Sequence, residues 1–321
     1  MGVRIIPFGL LLLFLLSFEE PHFFTHSLSF TGAPQSAEQL GEMLFFDRRF
    51  SRDQSMSCGS CHRPERAFAD SLPFSFGVDG VVGKRNAPSV MNMASRPLFF
   101  YDGRASSLES QVHFPVEDSL EMDFPFTAVL TRIVSDPVYV KAFQRITGRS
   151  PDREGVEMAI ASFERTLETA DTPFDRFMQG DSSALSISAI RGRSLFMSEK
   201  AKCFDCHFSP DFTGDEFRNI GLYNGRNLTD RGRYDITKDS ADLGRFKVPG
   251  LRNVAVTGPY MHNGMFNTLE EVIEYYDQPD SFVSDAINRD TLLQKPLRLT
   301  VEEKKDLVSF LHSLTDRRFH P

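Results

Sequence analysis

The 321-residue sequence contains no tryptophan and only seven tyrosines, against 31 phenylalanines. Chemistry that needs an easily oxidised aromatic ring inside this chain must therefore use tyrosine. Positive charge is also short: 36 Lys+Arg stand against 44 Asp+Glu, a net charge of −8. That balance excludes nucleic acid as an expected partner and leaves a basic protein as one. Long hydrophobic runs are absent except for Ile5 to Phe18, 14 residues interrupted by Pro7, Gly9 and Ser17, which is shorter than a membrane-spanning helix. Behind the single charge of Arg4 the run reads as a secretory signal peptide covering residues 1–33, with the cut expected at Thr31-Gly32-Ala33. An uncleaved anchor is the alternative, because Glu19-Glu20 ends the run early and no clean small-x-small site follows. No Cys lies between the run and the expected cut, which excludes a lipoprotein anchor. The expected compartment is the bacterial periplasm, with no membrane span in the mature chain. Hydrophobic residues at 40% and charged residues at 25% are ordinary globular usage and exclude disordered, collagen-like and polytopic membrane classes.

Cysteine is scarce, and its four residues fall in two copies of one pattern: Cys58-Gly59-Ser60-Cys61-His62 and Cys203-Phe204-Asp205-Cys206-His207. C-x-x-C-H is the attachment signature of haem c. Two thiols add across the two vinyl groups of one porphyrin, and the adjacent His reaches the iron from the proximal side. A redox dithiol, a four-Cys zinc site or two short-loop disulfides would leave the repeated His unexplained. Two covalently bound haem c groups are expected, on Cys58 and Cys61 with His62 and on Cys203 and Cys206 with His207. Haem of this type is attached outside the cytoplasm, in agreement with the leader.

The two motifs lie about one domain length apart, so the expected fold is mainly α, with two tandem c-type cytochrome-like haem domains over residues 34–177 and 178–321. Val156, Ala159, Ile160, Phe163 and Leu167 recur at helical spacing and predict an amphipathic helix of about five turns opened by Pro151-Asp152 and ended by Thr-Pro-Phe-Asp at 172–175. Ala37 to Phe46 and Ser186 to Met197 predict helices leading towards each haem motif. Thr268 with Glu271, and Thr300 with Glu303, are capping-box pairs at two further helix starts. Between the helices, Phe68 to Arg104 and Pro210 to Asn267 are rich in Gly, Pro and Asn and too long for plain connectors; they are expected to wrap the haems.

These motifs carry a family resemblance over nearly the whole mature chain. Leu44-Phe45-Phe46-Asp47, Arg85-Asn86-Ala87-Pro88, Asp102-Gly103-Arg104-Ala105, Phe163-Glu164-Arg165-Thr166-Leu167, Pro173-Phe174-Asp175, Leu251-Arg252-Asn253-Val254 and Pro259-Tyr260-Met261-His262 occur in the order seen in the bacterial di-haem cytochrome c peroxidases. The sequence resembles that family, which includes MauG, and within it the MauG-like, MbnH-like branch. Four positions bear on the branch. Family members that need reductive activation place a His in the loop after the first haem motif; here Val78 stands there, which implies an open N-terminal haem, with His113 as the remote alternative cap. The family's usual Met ligand to the C-terminal haem is matched by Tyr276. A thioether raises the haem potential, whereas a phenolate stabilises ferric and higher-valent iron. Packing on an apolar helix face is the other reading of Tyr276, and Met261 and Met265 are competing ligands; Tyr275 points roughly 100° away around the helix.

The family's acid–base pair matches Gln111 and Glu121. A carboxylate over the open haem suits the proton transfer that breaks the O–O bond, although a lone Glu is otherwise a surface charge and Gln111 is as well suited to orienting water. The family's Phe-Trp-Asp-Gly-Arg reads Phe100-Tyr101-Asp102-Gly103-Arg104 here, so the resemblance assigns Tyr101 either an electron-relay or a structural role. It further implies a calcium ion held by Asn86, Thr257 and Pro259, oxygen ligands of the kind calcium prefers, and places His262 beside the C-terminal haem without ligating it. The resulting expectation is a periplasmic oxidoreductase that uses hydrogen peroxide at the N-terminal haem to oxidise a partner protein, by resemblance at tryptophan side chains, with the C-terminal haem as electron relay. The alternatives are a cytochrome c peroxidase that removes peroxide with electrons from a small cytochrome or cupredoxin, and a non-catalytic di-haem electron carrier or redox sensor.

Overall fold

The computed structural model describes residues 28–319, so the signal-peptide reading lies outside the described residues as far as residue 27. Eleven α-helices occupy the described part: α1 (Ala37–Phe45), α2 (Cys58–Cys61), α3 (Leu108–Glu117), α4 (Phe126–Val134), α5 (Pro137–Thr147), α6 (Arg153–Arg165), α7 (Pro173–Met178), α8 (Ile187–Phe196), α9 (Tyr234–Thr237), α10 (Leu269–Asp277) and α11 (Val301–His312). The only named sheet among these residues is one antiparallel pair, β1 (Phe217–Arg218) with β2 (Phe246–Lys247), in which Phe217 faces Lys247. The fold is mainly α, as the periodicity implies. No helix of the described residues is long and apolar enough to cross a membrane.

Local chemistry sets most helix ends. Ser36, Asp152 and Ser186 accept backbone N–H groups at the starts of α1, α6 and α8, and Thr268 with Glu271 and Thr300 with Glu303 form the two capping boxes expected for α10 and α11. The long helix predicted through Leu167 is shorter: α6 has 13 residues and stops at Arg165, where the Thr166 hydroxyl donates to the Phe163 carbonyl at 2.7 Å. Leu167 stays buried without being helical, which is why its spacing misleads. Thr172-Pro173-Phe174-Asp175 likewise does not end that helix. It starts α7, with Pro173 at the first helical position and Thr172 and Asp175 capping each other.

The same helix crossing occurs twice. At Gly41 on α1 an added Cβ would lie 1.9 Å from the Ala159 carbonyl oxygen of α6; at Gly192 on α8 it would lie 1.9 Å from the Asp306 carbonyl oxygen of α11. Only glycine permits backbones to approach so closely. The crossings organise two main cores, one containing Leu40, Leu44, Phe45, Ile160 and Phe163 with Cys58 and Cys61 against it, the other containing Phe196, Phe212, Leu307 and Phe310 with Cys203 and Phe204 against it. Arg85 to Asp230 at 2.7 Å and Arg96 to Asp215 at 2.5 Å join the two long loops, and the Asn253 N–H to the Leu314 carbonyl at 2.9 Å ties the second loop to the second core.

Candidate active site

The first C-x-x-C-H motif forms α2, whose Ser57 and Ser60 cap each other's backbone. Gly59 is required by packing, since a Cβ there would meet the Phe46 ring at 2.3 Å. His62 follows at the helix end, with Nδ1 at 3.1 Å from both the Phe68 and Pro88 carbonyls. In the second motif the Nδ1 of His207 lies 2.9 Å from the Phe212 carbonyl. A ring nitrogen facing carbonyls must donate, which leaves Nε2 with a free lone pair, and burial lowers both imidazole pKa values so that the rings stay neutral. The four thiols form no disulfide, and burial raises their pKa values. Cys58 and Cys61 pack against the first core and Cys203 against the second, so the four do not form one four-sulfur zinc site. Paired thiols beside a His with its Nδ1 anchored and its Nε2 free fit a haem c at each motif.

A cavity of about 1210 Å³ opens above the first motif. Cys58, Cys61, His62, Asn86, Tyr101, Gln111, Glu121, Thr257 and Pro259 all line it, so one space gathers nine residues selected from distant parts of the sequence. Glu121 is fixed by its backbone: its carbonyl accepts the Val78 N–H at 2.8 Å, and a Cβ on Gly77 would lie 2.2 Å from the Leu120 carbonyl oxygen. Burial, reinforced by Asp118 and opposed by Arg104, pushes the Glu121 carboxyl up to about 7. It is therefore poised to hold and release a proton near neutrality. Val78 itself is 2% exposed and belongs to the first core. His113 stacks on Phe114 with ring centroids 4.4 Å apart and places Nδ1 3.4 Å from Glu157, a packing role on α3.

Tyr101 donates to Asn86 Oδ1 at 3.4 Å, and burial raises its phenol pKa. Next to it Arg85 spans Asp102 at 2.6 Å and Asp230 at 2.7 Å. His262 lies here as well, stacked on Phe246 at 3.7 Å and edge-on to Tyr101 at 6.4 Å, with its carbonyl accepting the Asn86 N–H. Burial lowers its imidazole to about 4. His262 thus shares its surroundings with Tyr101 and Asn86. Asn86 donates Nδ2 to the Leu72 carbonyl at 2.8 Å, which turns its Oδ1 to Tyr101 and the cavity that Thr257 and Pro259 share.

Tyr276 sits apart from that cavity, with the second motif. Burial comes first in raising its phenol pKa, followed by Tyr275 and the Cys206 and Cys203 sulfurs, so its hydroxyl lies within electrostatic reach of both haem-attachment thiols. Tyr275 is fully buried and donates to the Ile220 carbonyl at 2.6 Å, which commits it to structure. Met261 and Met265 pack with Tyr275, Leu222 and Phe266. One functional candidate escapes sequence reasoning: Glu164 is 4% exposed and lines the first cavity. Its position inside a family motif was the only signal.

Residues 35–183 match the family described as di-haem cytochrome c peroxidase. The methylamine utilization protein MauG of Methylorubrum extorquens is 38% identical over 279 residues, covering 86% of this chain and 77% of that protein. The cytochrome c551 peroxidase of Pseudomonas aeruginosa is 33% identical over 297 residues, covering 89% of this chain and 81% of that protein. Among solved structures, a MauG-like protein associated with microbial copper homeostasis superposes with a TM-score of 0.79 at 30% identity, covering 94% of this chain and 98% of the other.

Proposed function

The chain belongs to the di-haem cytochrome c peroxidase and MauG family, and from that premise we propose that it uses hydrogen peroxide at an open N-terminal haem to oxidise a partner protein in the periplasm, at tryptophan side chains. The family carries two haem c groups, and bound here they supply redox-active iron for peroxide reduction and electron transfer. Cys58 and Cys61 with His62 would hold one, and Cys203 and Cys206 with His207 the other. Glu121 accepts a proton from one peroxide oxygen and returns it to the other, while Gln111 orients peroxide and water in the same cavity. Tyr101 stands as the oxidisable ring of a Trp-free chain and serves as the electron relay. Tyr276 would be a ligand of the C-terminal haem: burial alone keeps its phenol protonated, and ferric iron would supply the positive charge that a phenolate there needs. Asn86, Thr257 and Pro259, which line the same cavity, would hold a calcium ion through oxygen atoms.

The observation that carries this reading is Val78, packed in the core where a capping His would stand, while Glu121 and Gln111 share the cavity of His62. The fully ferric holoprotein should react with peroxide without prior reduction, and Val78→His should introduce a requirement for reduction. Reaction only after partial reduction of the wild type would refute the open haem. Similarity to a cytochrome c551 peroxidase supports a second reading, peroxide removal with electrons from a small redox protein. Rapid multiple turnover with a reduced cytochrome would favour it.

A further inference from the structure

Reducing one hydrogen peroxide breaks one O–O bond, consumes two electrons and two protons, and releases two waters. In the proposed reaction the electrons come from side chains of a protein oxidised elsewhere, and the protons released at that distant site do not travel with them. Glu121 moves a proton between the two peroxide oxygens and is regenerated, which supplies no net proton. The cavity therefore needs a further acid, and it contains one.

Glu164 lies on α6, one residue before the helix end, and its carboxyl lines the first cavity together with Gln111 and Glu121. The residue is 4% exposed, yet its carboxyl has no hydrogen-bond or ion-pair partner among the described residues. The neighbouring cation is committed elsewhere: Arg165 Nη2 lies 2.7 Å from Glu109 Oε1 of α3. Withdrawing a carboxyl from bulk water disfavours its charged form, and a fold that served stability alone would place an apolar residue there.

We propose that Glu164 is a second acid of the peroxide cavity, which donates its proton, is reprotonated from solvent and donates again, so that both protons consumed for each peroxide reduced to two waters pass through it. The inference rests on the peroxide reading above. Burial raises the Glu164 carboxyl to about 8; Arg165 opposes this, and Glu109 reinforces it. The Cys58 sulfur of α2 also feels Glu164 electrostatically. Charges on the other packed helices, α1 and α4, do not bear on it among the described residues. At neutral pH the group is thus mostly protonated.

The test uses the ferric holoprotein and its Glu164→Gln, Glu164→Asp and Glu121→Gln variants. Infrared difference spectra across a pH titration should show a neutral-carboxyl band that titrates at about 8 in the wild type, above that of Glu121, persists in Glu121→Gln and is lost in Glu164→Gln. Peroxide reduction by Glu164→Gln should fall at least about tenfold near pH 6 and lose the alkaline decline that deprotonation of Glu164 imposes on the wild type. Glu164→Asp should restore part of the rate and a pH-dependent limb. A wild-type pH profile in Glu164→Gln, or a carboxyl band that Glu164→Gln leaves in place, overturns the proposal while peroxide reduction itself still stands. A wild type that does not reduce peroxide overturns the underlying reading and the proposal with it.

Discussion

Glu121→Gln should make the protein slower and more stable at once. Its carboxyl rises from an ordinary 4.5 to about 7 on folding, chiefly because it is buried. At about 1.4 kcal/mol for each unit, ionising it inside the fold costs roughly 3 kcal/mol more than in the unfolded chain. The folded protein therefore binds this proton more tightly than the unfolded one, and its stability contribution is present at low pH. It is lost as pH rises from 4.5 through 7 and remains lost above. Glutamine cannot ionise, so the variant should match the wild type near pH 4 and exceed it by up to about 3 kcal/mol near pH 8.5, read from urea midpoints at constant slope. Over the same range its reaction with peroxide, followed by stopped flow, should fall by roughly 10²–10⁴, the usual worth of a general acid–base group. A variant that loses activity and stability together would make Glu121 structural, and one that keeps the wild-type rate would remove it from the proton path.

Gly41→Ala and Gly192→Ala force a Cβ to within 1.9 Å of a carbonyl oxygen on the facing helix. Each should cost about 1–3 kcal/mol or more in urea unfolding of the holoprotein, and wild-type midpoints would contradict the close crossings. Tyr101→Phe should preserve the initial reaction with peroxide but slow oxidation of a protein substrate, and Tyr101→Trp should restore it, because tryptophan is oxidisable and phenylalanine is not. Equal partner oxidation in wild type and Tyr101→Phe would leave Tyr101 only a packing role.

The sequence reveals features whose cause is local. Ser186, Thr268 with Glu271 and Thr300 with Glu303 start helices because their side chains bond to backbone a few residues away. Tyr276 and Tyr275 separate by helical angle alone, and the structure places them differently: one near the haem-attachment thiols, one bonded to Ile220. What escapes depends on distant segments meeting. Leu167 continues the apolar spacing of α6 after the helix has ended because it is buried by tertiary packing. His262 joins Tyr101 and Phe246 across long loops with no periodicity to read. Glu164 looks like an ordinary helix-surface acid until α6 lines the cavity together with Gln111 of α3.

The axial ligand of the C-terminal haem is the most direct test of the peroxide-driven, protein-oxidising assignment. Mössbauer and magnetic circular dichroism spectra of the ferric holoprotein, compared with Tyr276→Phe and Tyr276→Met, should show a phenolate-ligated second haem in the wild type alone. Its reduction potential should rise in Tyr276→Met, both haems should remain attached, and only the wild type should hold two oxidising equivalents for long after one equivalent of peroxide. A methionine-ligated second haem in the wild type, or identical spectra for wild type and Tyr276→Phe, would contradict the assignment and favour a peroxide-removing enzyme.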